Sequence, residues 1–155
     1  MRKSLLLSLA SGLLSLLVSG CAMNVSAQSP TSRSADTLYK RLGGYDAIAA
    51  VTDEFLARIT KDPQISRFLV GLSADSKKRL RQLAVDQLCE ATGGPCFYIG
   101  RTMKASHAGL GVTESDWDIT VKHLVAAIDK FKVPEKEKNE FLAIASQLKA
   151  DIVEK

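Results

Sequence analysis

The chain has 155 residues, 46% of them hydrophobic and 6% aromatic, with 21 basic against 17 acidic side chains and a formal net charge of +4. That length fits one domain with a modest core. The near-balance of charge singles out no acidic partner, and no nucleic acid is expected as one.

In chain order, Arg2 and Lys3 precede an uncharged apolar run, Leu5 to Val18, which is the charged-then-apolar order of a secretory signal. The run is shorter than the ~20 apolar residues that span a bilayer, which argues against an uncleaved anchor. It ends in Val18-Ser19-Gly20-Cys21. This resembles a bacterial lipobox, where small residues let a peptidase cut before the cysteine and lipid is attached to its sulfur. Each buried acyl CH₂ contributes ~0.8 kcal/mol, so two or three chains hold a protein on a membrane essentially permanently. Ala22 follows rather than aspartate, which in a two-membrane bacterium favours the outer membrane. Residues 22–36 are Ser-rich and without apolar period, the composition of a flexible linker. The expected organisation is a signal peptide over 1–20, a lipidated tether over 21–36 and a folded domain over 37–155, facing the periplasm or cell exterior. Without residues 1–20 the charges stand at 19 basic against 17 acidic.

From Thr37 onward the apolar residues recur every three or four positions, so every element is expected to be helical. Ile48, Val51, Phe55, Leu56 and Ile59 form one stripe behind the break Gly43-Gly44. Pro63 suits the first turn of a short helix carrying Ile65, Phe68 and Leu69. Lys77-Lys78-Arg79-Leu80-Arg81 is the densest basic run, read as a solvated helix face. Leu80, Leu83, Ala84, Gln87, Leu88 and Ala91 share one face of a helix that must stop at Gly93-Gly94-Pro95. Thr113 with Asp116 three residues on has the form of an N-cap. It opens a helix with the stripe Trp117, Val121, Leu124, Ile128 and Phe131. Pro134 suits the first turn of a last helix bearing Phe141, Ile144, Leu148 and Ile152.

Besides Cys21 there are two cysteines, Cys89 and Cys96, with no spacing that suggests zinc. In an oxidising compartment they are candidates for a disulfide, if the turn at Gly93-Gly94-Pro95 brings their Cα atoms within ~7 Å. The alternative is two inert buried thiols.

The chain has two histidines. His123 lies mid-helix beside Leu124 and reads as structural. His107 sits on a short segment between glycine breaks, with Met103 one turn before it, Tyr98 and Gly100 leading in and Gly109 and Gly111 just after. An imidazole so placed suits an axial haem ligand, one ring nitrogen on iron and the other held by a hydrogen bond.

From about Leu38 to Val153 the sequence resembles the truncated haemoglobins, most closely the group I branch. The resemblance is carried by Tyr39-Lys40-Arg41-Leu42-Gly43-Gly44, Phe55, Asp62-Pro63, and Gly93-Gly94-Pro95 with Tyr98, Gly100, Met103 and His107. It implies an all-α fold, a two-over-two helical sandwich around one haem b, with His107 as the proximal iron ligand. It further implies Met103 packing on the porphyrin, and Tyr98, Arg101 and Lys104 near the propionates; basic side chains suit carboxylates.

The distal side departs from the family. Leu56 stands where a tyrosine commonly hydrogen-bonds dioxygen. Leu80, Leu83 and Ala84 occupy distal-helix positions that often carry polar groups or a second axial histidine. Leu69 aligns with the phenylalanine usually against the haem, with Phe68 adjacent, and the segment from Leu72 to Lys78 is longer than is typical. Gln87 is the one polar side chain left on that face, expected either to reach an iron-bound ligand or, the preferred reading, to hydrogen-bond near the haem edge. A lost hydrogen bond to a polarised group is worth about 1.5–3 kcal/mol, so dioxygen is expected to leave roughly tenfold to a hundredfold faster than from tyrosine-bearing relatives.

The resemblance therefore implies a haem protein that binds a diatomic gas, O₂, CO or NO. Linked activities are oxygen binding and NO detoxification, the latter only with a separate reductase, since the chain has no flavin or nicotinamide motif. Two other readings compete. One is a membrane-tethered sensor or haem carrier with Cys89 and Cys96 as a redox pair; the other is a helical lipoprotein that keeps the globin outline without haem.

Overall fold

The computed structural model describes residues 37–155. The expected leader, Cys21 and the tether lie outside the described residues. The elements are α1 (Leu38–Arg41), α2 (Tyr45–Ile59), α3 (Pro63–Ser66) running into a 3-10 turn (Arg67–Leu69), α4 (Ala74–Ala91), α5 (Met103–His107), α6 (Glu114–Lys130), α7 (Glu135–Ser146) and α8 (Lys149–Ile152). No strand occurs among the described residues.

The turn into α2 needs glycine: Gly43 and Gly44 hold φ values of +100° and +81°, which cost a side-chain-bearing residue steric strain. Once started, α2 buries Ile48, Ala49, Val51, Thr52 and Ile59, and it packs on α4 and on α6. The buried Thr52 hydroxyl donates to the Ile48 carbonyl at 2.8 Å, so no polar group is stranded. Asp62 caps α3 by accepting from the backbone N–H groups of Gln64 and Ile65, at 2.8 and 3.2 Å. Ser73 caps α4 through the Ser76 N–H at 3.1 Å. The capping box at Thr113 and Asp116 is complete in both directions.

The core lies on both sides of α2. Leu38, Val51, Leu124, Ala127, Ile128 and Phe141 join α1, α2, α6 and α7, while Ile48, Ala49, Val85 and Cys89 join α2 to α4. Burial of each large apolar side chain contributes about 1.5–3 kcal/mol. Arg41 braces α1 against α7 through Glu137, at 3.1 Å, and Glu140.

Three details differ from the reading of the sequence. Pro134 is extended, at φ −57° and ψ 147°, and stands just before α7 rather than in its first turn. Phe131, placed in the α6 stripe by periodicity, caps that helix and is 44% exposed. The last helix is broken: Gln147 and Leu148 donate to the carbonyls of Ile144 and Ala145, at 3.2 and 3.1 Å, the tighter three-residue step that lets a chain change direction. The break turns α8 onto α5, and the tail follows, with the Glu154 N–H donating to the Val112 carbonyl at 2.8 Å and the Glu114 N–H to that of Lys155 at 3.1 Å.

At the end of α4, Cys89 and Cys96 are joined in a disulfide with Cα atoms 5.8 Å apart. Gly94 lies in its crook: a Cβ there would stand 2.5 Å from the Tyr39 ring and 2.6 Å from the Cys89 sulfur. The first described residue lies close by, since the Tyr39 N–H donates to the Thr92 carbonyl at 2.8 Å and Thr37 packs against Gly93.

Candidate functional site

His107 closes α5, a helix of five residues. So short a helix is not stable by itself, and its neighbours define it from both ends. The Thr102 hydroxyl caps its start, accepting from the Ala105 N–H at 3.2 Å. Beyond its end the Glu154 carboxylate accepts from the backbone N–H of Gly109, at 2.7 Å, and of Gly111. Those two donors hold the Glu154 carboxyl below the usual carboxylate range.

The orientation of the imidazole follows from one bond. His107 Nδ1 lies 2.8 Å from the Met103 carbonyl oxygen. A carbonyl only accepts, so Nδ1 carries a proton, and in the neutral ring Nε2 then keeps its lone pair. A ring fixed in this way, half-buried, is prepared to ligate a metal through Nε2. Among the described residues no group of three or more His, Cys, Asp or Glu side chains converges as a metal site.

The approach to α5 is equally constrained. The Tyr98 hydroxyl donates to the Arg101 carbonyl at 2.6 Å, so its single proton is engaged within the loop, and burial pushes its phenol above the ordinary value. A Cβ on Gly100 would lie 2.3 Å from the Tyr98 ring, so any side chain there would displace that ring. Arg101 and Lys104 are exposed.

A second region, formed by α2, the 3-10 turn and α4, is apolar. Leu56 and Ala57 of α2, Leu69 of the 3-10 turn and Leu80 of α4 surround a cavity of about 190 Å³, with Thr60 and Lys77 completing its lining. The structure thus brings together Leu56, Leu69 and Leu80, three residues drawn from separate stripes. It also separates the neighbours Phe68 and Leu69: Leu69 faces the cavity, while the Phe68 ring lies under the Arg67 guanidinium, 4.5 Å from its centroid. Ala84 and Gln87, further along α4, are half-buried outside that lining.

Two contributions are not visible in local sequence. Lys77 belongs to the basic run, yet it lines the cavity, with a long alkyl stem suited to apolar surroundings. Asp116 is 1% exposed and accepts from the Thr113 N–H and hydroxyl at 2.9 and 2.7 Å, from Gln64 Nε2 at 2.8 Å and from Arg67 Nη2 at 2.8 Å. Burial alone raises its pKa; the bonds from Thr113 and Gln64 and the Arg67 charge outweigh that and hold it below the ordinary value. The bonds to Thr113 are local, but those from Gln64 and Arg67 join residues some fifty apart, and Lys77 meets α2 and the 3-10 turn only in the fold, so spacing carries no signal of these contacts. His123 has the structural role expected of it: its Nε2 lies 2.8 Å from Asp62 Oδ2 and ties α6 to the cap of α3.

The model of the bacterial-like globin family matches residues 37–154. A group 1 truncated hemoglobin of Mycolicibacterium paratuberculosis is 32% identical over 116 residues, covering 75% of this chain and 83% of that protein. A group 1 truncated hemoglobin of Synechocystis is 33% identical, covering 70% and 89%. Among solved structures, the 2/2 hemoglobin of a Synechococcus species, crystallised in the cyanomet state with covalently attached heme, aligns with a TM-score of 0.70 at 25% identity over 76% of this chain and 98% of that one. The truncated hemoglobin of Tetrahymena pyriformis gives the same TM-score, 0.70, at 24% identity over 77% and 100%. With its all-helical two-over-two fold, the chain belongs to the bacterial-like globins, in the group 1 truncated branch, a family whose prosthetic group is haem.

Proposed function

We propose that this protein holds one haem b through His107 Nε2 and binds a diatomic gas there. When bound, haem would supply an iron centre able to take a gas and the redox chemistry of that metal. The observation that carries the reading is the bond from His107 Nδ1 to the Met103 carbonyl, which sets the tautomer an axial ligand requires. The residues present fit the group: an oriented imidazole, the leucine-lined cavity of α2 and α4, and exposed Arg101 and Lys104 as partners for carboxylates. Met103 packs on the porphyrin, and Tyr98 supports the propionate side by holding its loop in shape.

The distal residues set the character of the site. Leu56, Leu69 and Leu80 exclude water but donate no hydrogen bond, so dioxygen is retained weakly and CO is favoured relative to it. Gln87 makes no hydrogen bond among the described residues and serves the haem edge. NO detoxification requires electrons from a separate reductase. We further propose that the chain is a lipoprotein, acylated on Cys21 and carried on a membrane facing the periplasm or cell exterior.

Absorption spectra of the haem-loaded protein, ferric, ferrous and CO-bound, test the reading beside His107→Ala. The expected result is stoichiometric haem with a Soret shift on CO binding, altered or abolished in the variant. A wild-type protein that takes up no stoichiometric haem overturns the gas-binding function.

A further inference from the structure

Two of the most exposed large apolar side chains lie in one loop, between the disulfide and α5: Phe97 at 81% and Ile99 at 78%. Burial alternates along this stretch, with Cys96, Tyr98 and Gly100 half-buried. Tyr98 is thus turned inward, and Phe97 and Ile99 outward on the opposite side. Exposed apolar pairs of this kind mark contact surfaces.

The loop is braced along its length. Cys96 is bonded to Cys89 at the end of α4, the Tyr98 N–H donates to Glu90 Oε2 at 3.3 Å, and the Tyr98 hydroxyl donates to the Arg101 carbonyl at 2.6 Å. Residues that insert from such a frame lose little further conformational freedom, which favours binding. Within the segment itself the charge has one sign, since residues 91–113 contain no Asp or Glu and include Arg101 and Lys104; the acidic group beside it, Glu90, is engaged by the Tyr98 N–H.

The position of the chain's entry selects the partner. Thr37, where residues 21–36 join the domain, packs on Gly93, and the adjoining backbone is held by the bond from Tyr39 N–H to the Thr92 carbonyl. The linker therefore enters the domain a few residues from the apolar loop. Sixteen residues span at most roughly 55 Å even when fully extended, which keeps the loop close to a surface holding Cys21.

We infer that the Phe97–Ile99 loop is a membrane-docking face, its two apolar side chains inserting at the interface of an anionic bilayer with Arg101 and Lys104 toward the headgroups. The choice of partner rests on the proposed anchoring through Cys21. Docking turns the segment that leads to His107 toward the lipid and gives the tethered globin a defined orientation.

The test uses the mature chain from Cys21 onward without lipid, which contains every packed element described above, loaded with haem and mixed with vesicles of phosphatidylethanolamine and phosphatidylglycerol. The wild type is expected to co-sediment, and Phe97→Ser with Ile99→Ser to bind at least tenfold more weakly, with haem spectrum and melting temperature unchanged. Phe97→Trp should shift its emission to the blue and be quenched by brominated lipids. A wild type that stays out of the vesicles, a double variant that binds equally, or a wild type that dimerises through this loop instead overturns the docking face. Labelling the full-length chain with radioactive palmitate in a bacterial host, beside Cys21→Ser, reports on acylation separately. Vesicle binding without palmitate label overturns the anchoring and leaves the face standing; label without vesicle binding does the reverse.

Discussion

The two sides of this site are built by different forces. The His107 side is wired by directional hydrogen bonds: Nδ1 to the Met103 carbonyl, Thr102 to the Ala105 N–H, and Glu154 to Gly109 and Gly111. The side formed by Leu56, Leu69 and Leu80 is mainly apolar, with Thr60 and Lys77 completing its lining. Hydrogen bonds fix an angle and a tautomer, which an axial ligand needs; apolar packing fixes only volume and exclusion of water. On the function proposed above, such a site would control its metal ligand tightly and its gas loosely.

Asp116 and the disulfide link the two sides, so removing them should have the largest effects. Asp116 joins the turn that carries Leu69, through Gln64 and Arg67, to the N-terminus of α6 just beyond the His107 loop. Asp116→Ala strands these donors and removes a cap, at a cost of about 3 kcal/mol. In a domain of this size that lowers the melting temperature by roughly 10 °C, measurable by circular dichroism. If the melt does not move, the two sides are not coupled through this carboxylate. Replacing Cys89 and Cys96 together by serine frees the start of the α5 loop and costs about 2 kcal/mol from the entropy of the unfolded chain. Denaturant titration should show it, with faster haem loss than in the disulfide form.

Leu56→Tyr sharpens the contrast from the other direction. A hydroxyl restored in the apolar wall should slow dioxygen release at least tenfold, about 1.4 kcal/mol, in stopped-flow displacement. CO release, which gains less from a hydrogen bond, should change little. Equal slowing of both gases means that access, not polarity, governs release.

The smallest effect expected is one of pH. The N–H groups of Gly109 and Gly111 lower the Glu154 pKa. A carboxyl depressed in the folded state contributes its stability fully above its unfolded value, near ~4.3, and loses it as pH falls through the folded value. Amide exchange at Gly109 and Gly111 should accelerate below that range in the wild type and lose this acid dependence in Glu154→Gln.

Much of the fold was legible because helices report themselves locally. The α2 stripe, the stop at Gly93-Gly94, the Asp62-Pro63 start and the Thr113/Asp116 box each need only a few adjacent residues, and all stand where periodicity and capping put them. The last helix was misread because Phe141, Ile144, Leu148 and Ile152 keep helical spacing across the break after Ser146. That break serves long-range bonds from the tail to Val112 and Glu114, and a local pattern carries no information about them.

The sequence by itself determined that this protein is helical, that its breaks fall at glycine and proline, and that His107 stands alone between them, because φ/ψ preferences and helical period act over a single turn. The tertiary structure decided that Leu69 rather than Phe68 faces the cavity, and that Asp116, Glu154 and Lys77 belong to the site's surroundings. These choices depend on groups brought together from distant parts of the chain, where only packing and the satisfaction of buried polar groups select a partner.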